Sequence, residues 1–415
     1  MGESTFVNSR STGHTAPKPR SLRLRFDVPL VIAVAGLLVI GLLFVYSASW
    51  NFAIRNGQDA SYVLLRQARW VVVGLIAAIG FSMIDYHRIT RIAMWIMMVT
   101  MVSLLVVLFV NDGNGVSRTL FNGSVQPSEL AKVSLILYLA VWLDSKKEII
   151  SSVSFGLLPL IVILGVTAGF VLLQPDISAG GTIVILGIMM FFLGGGDIRQ
   201  LTLIFVAVMI VGVLIVTISH TGQERITAYF DGLNDPKTAS YHVQRSIEAI
   251  VRGGFFGVGI GNSTVKFTGL PFAWTDSIFA VIAEETGLLG SAVVVMLYIL
   301  LLWRGLAIAR RASDYLGKIL AAGLTLWIVL EALINIGVMV NLVPFAGNAL
   351  PLMSSGGSNL VMTLVAIGIL MSISRVSMQE PAEGERTTFN AVVDLRGRNG
   401  RRSVSSPRRS ANPNQ

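Results

Sequence analysis

The chain has 415 residues, 53% hydrophobic and only 13% charged, with a formal net charge of +9. A soluble domain carries roughly 25% charged residues, so the shortfall and the repeated long apolar runs exclude a soluble globular protein and indicate a polytopic membrane protein. The lack of cysteine excludes a disulfide framework or thiolate metal site, and His14, His87, His220 and His242 show no metal-motif spacing.

The positive charge is not a nucleic-acid footprint. Residues 1–27 carry Arg10, Lys18, Arg20, Arg23 and Arg25 against Glu3 and Asp27, and residues 379–415 carry seven arginines against four acids. Each tail is therefore net +3, and two basic tails beside anionic lipid account for most of the excess. Residues 1–27 read as a disordered cytoplasmic tail without a signal-cleavage pattern.

Apolar runs follow at about 28–48, 68–84, 92–110, 128–143, 153–173, 180–195, 200–219, 277–303, 318–343 and 358–375. As helices rising ~1.5 Å per residue, each covers most of a bilayer. The expected fold is all-α with about ten transmembrane helices. Arg88 and Arg91, Lys146 and Lys147, Arg199, and Arg304, Arg310 and Arg311 lie in even-numbered connections, whereas 174–180 and 344–357 carry no Lys or Arg. That bias puts both termini in the cytoplasm and residues 220–276 outside, against Arg55 and Arg66 in the first connection.

The first motif is Gln126-Pro127-Ser128-Glu129-Leu-Ala-Lys132. Pro127 and Glu129 suit a helix start. Lys132, one turn into an apolar run, needs a partner, because a charge at mid-bilayer costs roughly 2.5–3.5 kcal/mol. Ser128, Glu129 and Lys132 can share one helix face, for structural pairing or for binding a polar ligand. Gln174-Pro175-Asp176 reads as a turn with Asp176 capping the next helix.

Residues 220–276 are too polar to span and too apolar to be a linker. Residues 241–250 predict an amphipathic helix with Val243, Ile247 and Ile250 on one face. Gly253-Gly254-Phe-Phe-Gly257-Val-Gly259-Ile-Gly261 lacks the strand and the Lys of a nucleotide loop, so its glycines read as sites of close backbone approach.

Asp276 stands where this segment enters an apolar helix. It is either an N-cap, a role Thr275 could also fill, or an ionised, partly desolvated general base at the membrane–water boundary. Glu284 and Glu285 lie inside that helix. Asn335-Ile-Gly337 and Asn341 to Ser358 combine prolines, small residues and hydroxyls without charge. Such a broken segment at membrane depth is tolerated where it is buried in protein or lines a cavity. After residue 378 the chain is Ser-, Arg-, Gly- and Pro-rich, so 377–415 read as a disordered basic tail.

Taken in order, these stretches resemble the SEDS family of bacterial cell-wall polymerases, the FtsW/RodA/SpoVE group. The resemblance covers residues 28–376. It rests on Val45-Tyr-Ser-Ala-Ser49, Arg66-Gln67, Gln126 to Lys132, Gln174-Pro-Asp176, the 253–261 glycines, Leu270-Pro271, Thr275-Asp276, Ile278 to Gly287, Asn335-Ile-Gly337, Leu350-Pro351 and Ser354 to Ser358.

It implies a ten-helix peptidoglycan glycosyltransferase that polymerises lipid II, a disaccharide-pentapeptide on undecaprenyl pyrophosphate, outside the cytoplasmic membrane. Asp276 matches the family's essential loop aspartate and is the implied catalytic base. Implied substrate contacts are Arg118, Gln126, Ser128, Glu129, Lys132, Gln244, Lys266, Ser354, Gly356, Gly357 and Ser358, with Arg118, Lys132 and Lys266 offered to the pyrophosphate. No metal cage is defined, although a divalent cation could assist. The implied partners are a class B penicillin-binding protein and other divisome or elongasome membrane proteins, and the tail leans towards the division member.

The chain departs from the family pattern at Thr119, Ile177-Ser178-Ala179, Phe345-Ala-Gly347, Ser355, Asn359 and Glu331. The rival readings are a flippase for the same lipid and a scaffold that activates the penicillin-binding partner.

Overall fold

The computed structural model describes residues 27–109, 119 and 126–379, and among these every regular element is helical. Of the two tails expected to be disordered, residues 1–26 and 380–415 lie outside the described residues, as does Arg118, whereas Asp27 caps the first helix and residues 377–379 continue the last one.

Ten helices answer the ten apolar runs. They are α1 (Val28–Arg55), α2 (Tyr62–Met83), α4 (Ala93–Leu108), α5 (Pro127–Lys146), α6 (Leu158–Leu173), α7 (Ile177–Leu193), α8 (Ile198–Ile218), α11 (Ile278–Arg311), α12 (Tyr315–Met339) and α13 (Gly357–Gln379). A short α3 (Tyr86–Arg91) lies between α2 and α4, and a π turn leads into α6. Seven of the ten, α6 together with its π turn, are long and apolar enough to cross a membrane; α4 and α7 are apolar but shorter. In α5 the hydropathy is interrupted by Glu129 and Lys132, for the reason given below.

The helices start where the sequence supplies caps. Asp27 accepts from Leu30 N at 3.2 Å ahead of α1, and Asp176 accepts from Ala179 N at 3.1 Å ahead of α7, as the turn reading expects. Asp314 does the same for α12 through Gly317 N.

Burial distinguishes the centre from the rim. In α12 and α13, 72% and 78% of the spanning stretch is buried inside the protein, against 6% for α8. A helix apolar all round with so little protein cover has its apolar surface left for lipid. Around the centre, α13 packs along α2, and α11 packs against α12, α1 and α10 (Tyr241–Gly253); α5 bridges α4, α7 and α12. The other end of α11 is tied to the start of α1 by Arg304 and Asp27, Nη2 to Oδ2 at 2.6 Å.

The long connection is more helical than its polarity suggests. Residues His220–Asn234 form α9 and Tyr241–Gly253 form α10. The buried face of α10 is Val243, Ser246, Ala249 and Gly253, not the predicted Val243, Ile247 and Ile250. Close packing on α11 explains the rotation, because a Cβ on Gly253 would lie 2.0 Å from the Ala283 carbonyl oxygen. Small residues win that face because backbone meets backbone there.

Candidate functional site

A cavity of about 310 Å³ opens at one end of the bundle between α5, α12, α13 and the loop leading into α11. Its floor is ionic. Lys132 Nζ lies 2.8 Å from Glu129 Oε2 and also contacts Glu331 Oε1 on α12. Asn359, in the first turn of α13, donates from Nδ2 to Glu129 Oε2 at 2.9 Å and to Glu331 Oε2 at 3.1 Å. All four side chains are buried. The intramembrane lysine therefore has two carboxylates, both braced by one amide, which offsets the desolvation that an isolated charge would suffer.

One wall is Gln126, which donates from Nε2 to Asp176 Oδ2 at 3.2 Å and from its backbone N–H to Ser358 Oγ at 2.9 Å. These contacts join the starts of α5, α7 and α13. The opposite wall is the loop carrying Asp276. Three consecutive carbonyls of that loop are held from the 335–355 region. Trp274 O accepts from Ser355 N at 2.9 Å, Thr275 O from Ser354 Oγ at 2.6 Å and Asp276 O from Asn335 Nδ2 at 2.8 Å. Asn335 also donates to Asn348 O at 2.6 Å, so one amide fixes both lips of the cavity.

Asp276 is not the cap of α11, contrary to one sequence expectation. The N-cap position is Ser277, whose side chain makes no capping bond. The Asp276 carboxylate instead faces the cavity beside Gly347, where a Cβ would stand 3.5 Å from Oδ2. Burial pushes its carboxyl up to about 6, with neither a hydrogen bond nor a charge among the described residues opposing the shift. A carboxyl poised near neutrality, partly dried and without a committed partner, can accept a proton from a bound hydroxyl.

Glu284 and Glu285 support this loop from beneath and do not enter the cavity. Glu284 accepts from Thr264 N at 3.0 Å and from Ser263 Oγ. Glu285 accepts from Lys266 Nζ at 2.6 Å, Gly261 N at 2.9 Å and Ser47 Oγ of α1 at 2.7 Å. Directly after them α11 breaks at Gly287, which has φ 66°. The glycine-rich loop lies over that break, with Val258 N and Gly259 N donating to Glu284 O and Glu285 O at 3.0 Å each.

Of the residues proposed from sequence, Asp276, Gln126, Glu129, Lys132, Gly356, Gly357 and Ser358 line the cavity. Ser128 and Ser354 are buried beside it. Two lie elsewhere. Lys266 is buried against Glu285, and Gln244 braces its own loop by donating to Lys237 O and Ala239 O at 2.6 Å each. Glu331 and Asn359 belong to the floor but appear in the sequence only as departures from a pattern. A glutamate deep in an apolar run needs a partner, but nothing in the sequence pairs Glu331 with Lys132, which already has Glu129 one turn away, and nothing there points to Asn359. Among the described residues no cluster of three or more His, Asp or Glu side chains stands ready to hold a metal.

A family model described as cell cycle protein, FtsW/RodA/SpoVE, matches residues 28–379. The chain is 35% identical over 367 residues to the probable peptidoglycan glycosyltransferase FtsW of Trichlorobacter lovleyi, covering 87% of this chain and 96% of that one. It is 35% identical over 360 residues to the stage V sporulation protein E of Bacillus subtilis, covering 85% and 97%. A chain from a solved peptidoglycan synthase complex that coordinates polymerization and crosslinking superposes with a TM-score of 0.69 at 26% identity, covering 86% of this chain and all of that one.

Proposed function

This chain belongs to the FtsW/RodA/SpoVE family of cell cycle proteins, and from that premise and the cavity around Asp276 we propose that it is a membrane-embedded peptidoglycan glycosyltransferase polymerising lipid II at the outer face of the cytoplasmic membrane. Asp276 is the base. Its carboxylate takes the proton of the acceptor sugar hydroxyl as that oxygen bonds to the donor's anomeric carbon. The bond from the same carbon to the pyrophosphate breaks, with inversion, and the lipid pyrophosphate leaves with the electron pair. The observation that carries this reading is the Asp276 carboxyl, half-buried at a cavity wall, raised to about 6 and bonded to nothing among the described residues.

The rest of the lining positions charge. Four carboxylates, Glu129, Asp176, Asp276 and Glu331, line the cavity with one ammonium, Lys132. An anionic pyrophosphate entering that field needs a counter-cation. The lining holds no metal-ready cluster among the described residues, so a divalent cation would arrive with the substrate and neutralise charge developing on the leaving group. Removal of divalent ions with EDTA should abolish polymerisation, and Mg²⁺ or Mn²⁺ should restore it; full activity in EDTA rules the cation out.

The fold similarity to a chain of a synthase complex supports a partner that crosslinks the product, a class B penicillin-binding protein. The direct test of function is purified protein in liposomes with lipid II, resolved by glycan length. Polymer supports the proposal. Labelled lipid moved across the bilayer without polymer would favour a flippase, a reading to which the broken 341–356 backbone is also suited.

A further inference from the structure

Phe272 stands at the cavity lining on the same loop as Asp276, and 60% of its surface is exposed. Its backbone has φ 49°. A side chain in the left-handed region is disfavoured, so the loop holds this ring outward against a local penalty. One exposed apolar residue is ordinary; an aromatic ring held by strained backbone at the mouth of a polar cavity is not.

The ring is also backed. It lies parallel to His242 of α10, with centroids 6.1 Å apart and planes 4° apart. His242 lies in turn on Phe345, at 4.5 Å and 29°. The Arg225 guanidinium of α9 sits 5.5 Å over Phe345. Three rings and a cation thus form one column that runs from α9 through α10 to both lips of the cavity. His242 is used here for its flat face, since its Nδ1 is buried without a hydrogen bond.

We propose that Phe272 is a carbohydrate-stacking platform, on which the C–H face of the saccharide rests while its hydroxyl reaches Asp276, and that His242 is the positioning residue behind it. The inference rests on the glycosyltransferase reading and deepens it by naming the residue that recognises the sugar rather than the lipid. Pyranose rings present an apolar C–H face that matches an aromatic face in shape and in dispersion contact. The ionic floor around Lys132 offers no such surface. The ring at the mouth is therefore the surface offered to the sugar.

The test is binding of two ligands to the full chain in liposomes, lipid II and undecaprenyl pyrophosphate without sugar. Phe272→Leu keeps bulk and loses the flat face. It should weaken lipid II by about tenfold (about 1.4 kcal/mol) and leave the sugar-free lipid unchanged. Phe272→Tyr should bind both as the parent does. His242→Leu should reproduce part of the loss for lipid II alone. Equal affinities for parent and Phe272→Leu, or a parallel loss for both lipids, overturns the platform. Polymer formation by the same parent preparation is scored separately, so a failure of the glycosyltransferase reading shows there and not in the sugar discrimination.

Discussion

Two side chains, Asp276 and Lys132, hold opposite electrostatic positions in one cavity. Asp276 has no partner among the described residues and Lys132 has two. For Asp276 the consequence is a pH dependence of known sign. Its carboxyl rises from 3.8 to about 6 on folding, so the folded chain holds the proton more tightly. The contribution of this group to stability is full below its unfolded pKa and is lost as pH rises through about 6. Catalysis runs the other way, because the base must be ionised. Polymerisation should fall on the acid side with an apparent pKa near 6, and a flat profile between pH 5 and pH 8 would contradict the assignment. By the same linkage, Asp276→Asn should raise the thermal midpoint in detergent at pH 8, by the equivalent of about 1–3 kcal/mol. A lowered midpoint would mean that the carboxylate is structural. For Lys132, substitution by Met leaves two buried carboxylates facing one another and should cost about 3–5 kcal/mol of stability. Adding Glu331→Gln to Lys132→Met should return part of that loss, which differential scanning of the single and double variants would read.

At the scale of elements, the Asp276 loop depends on a break in α11. Gly287 sits at φ 66°, and a Cβ there would lie 2.5 Å from Gly257 N and 2.6 Å from Phe255 O. Gly287→Ala should therefore part the glycine-rich loop from the helix, exposing backbone amides of 257–261 to faster hydrogen exchange and reducing polymerisation. Unchanged exchange would show that the glycine at the break is not needed to hold the loop. The ten apolar runs and the cap at Asp176 were legible in the sequence because hydropathy and capping are local signals, whereas Asp27, read as part of a disordered tail, caps α1. The start of α5 was legible too, because Lys132 in an apolar run requires a partner. Glu129 was the partner at hand; what the sequence could not supply was the identity of the second. Glu331 lies 199 residues away, and only the packing of α12 on α5 brings the two together. The α10 face was misjudged for a related reason: Ser246, Ala249 and Gly253 are buried by the closeness of α11, which no periodicity of α10 records. Lys266 looked like a phosphate ligand because its partner Glu285 read as part of an apolar helix and not as the floor of a loop.

For the molecule as a whole, α5 and the central helices α12 and α13 carry the ionic floor, and the polar connection between α8 and α11 supplies the roof. This division places chemistry at one membrane face. From the loop charges we propose that this face is outside and that both termini are in the cytoplasm. A chain without cysteine is suited to testing this by single substitutions. Asn234→Cys, on the exposed end of α9, should react with a membrane-impermeant maleimide in intact cells, and Arg199→Cys, at the start of α8, only after permeabilisation. The reverse pattern would put the cavity on the cytoplasmic side, where lipid II polymerisation has no product to deliver.

The claim on which all of this converges is that one carboxylate performs the proton transfer in a site that is otherwise complete without it. Purified Asp276→Asn, reconstituted beside the parent and given lipid II, decides it. The account predicts a folded, monodisperse variant that still binds lipid II and yields no glycan polymer. Polymer formed at the parent's rate would contradict it.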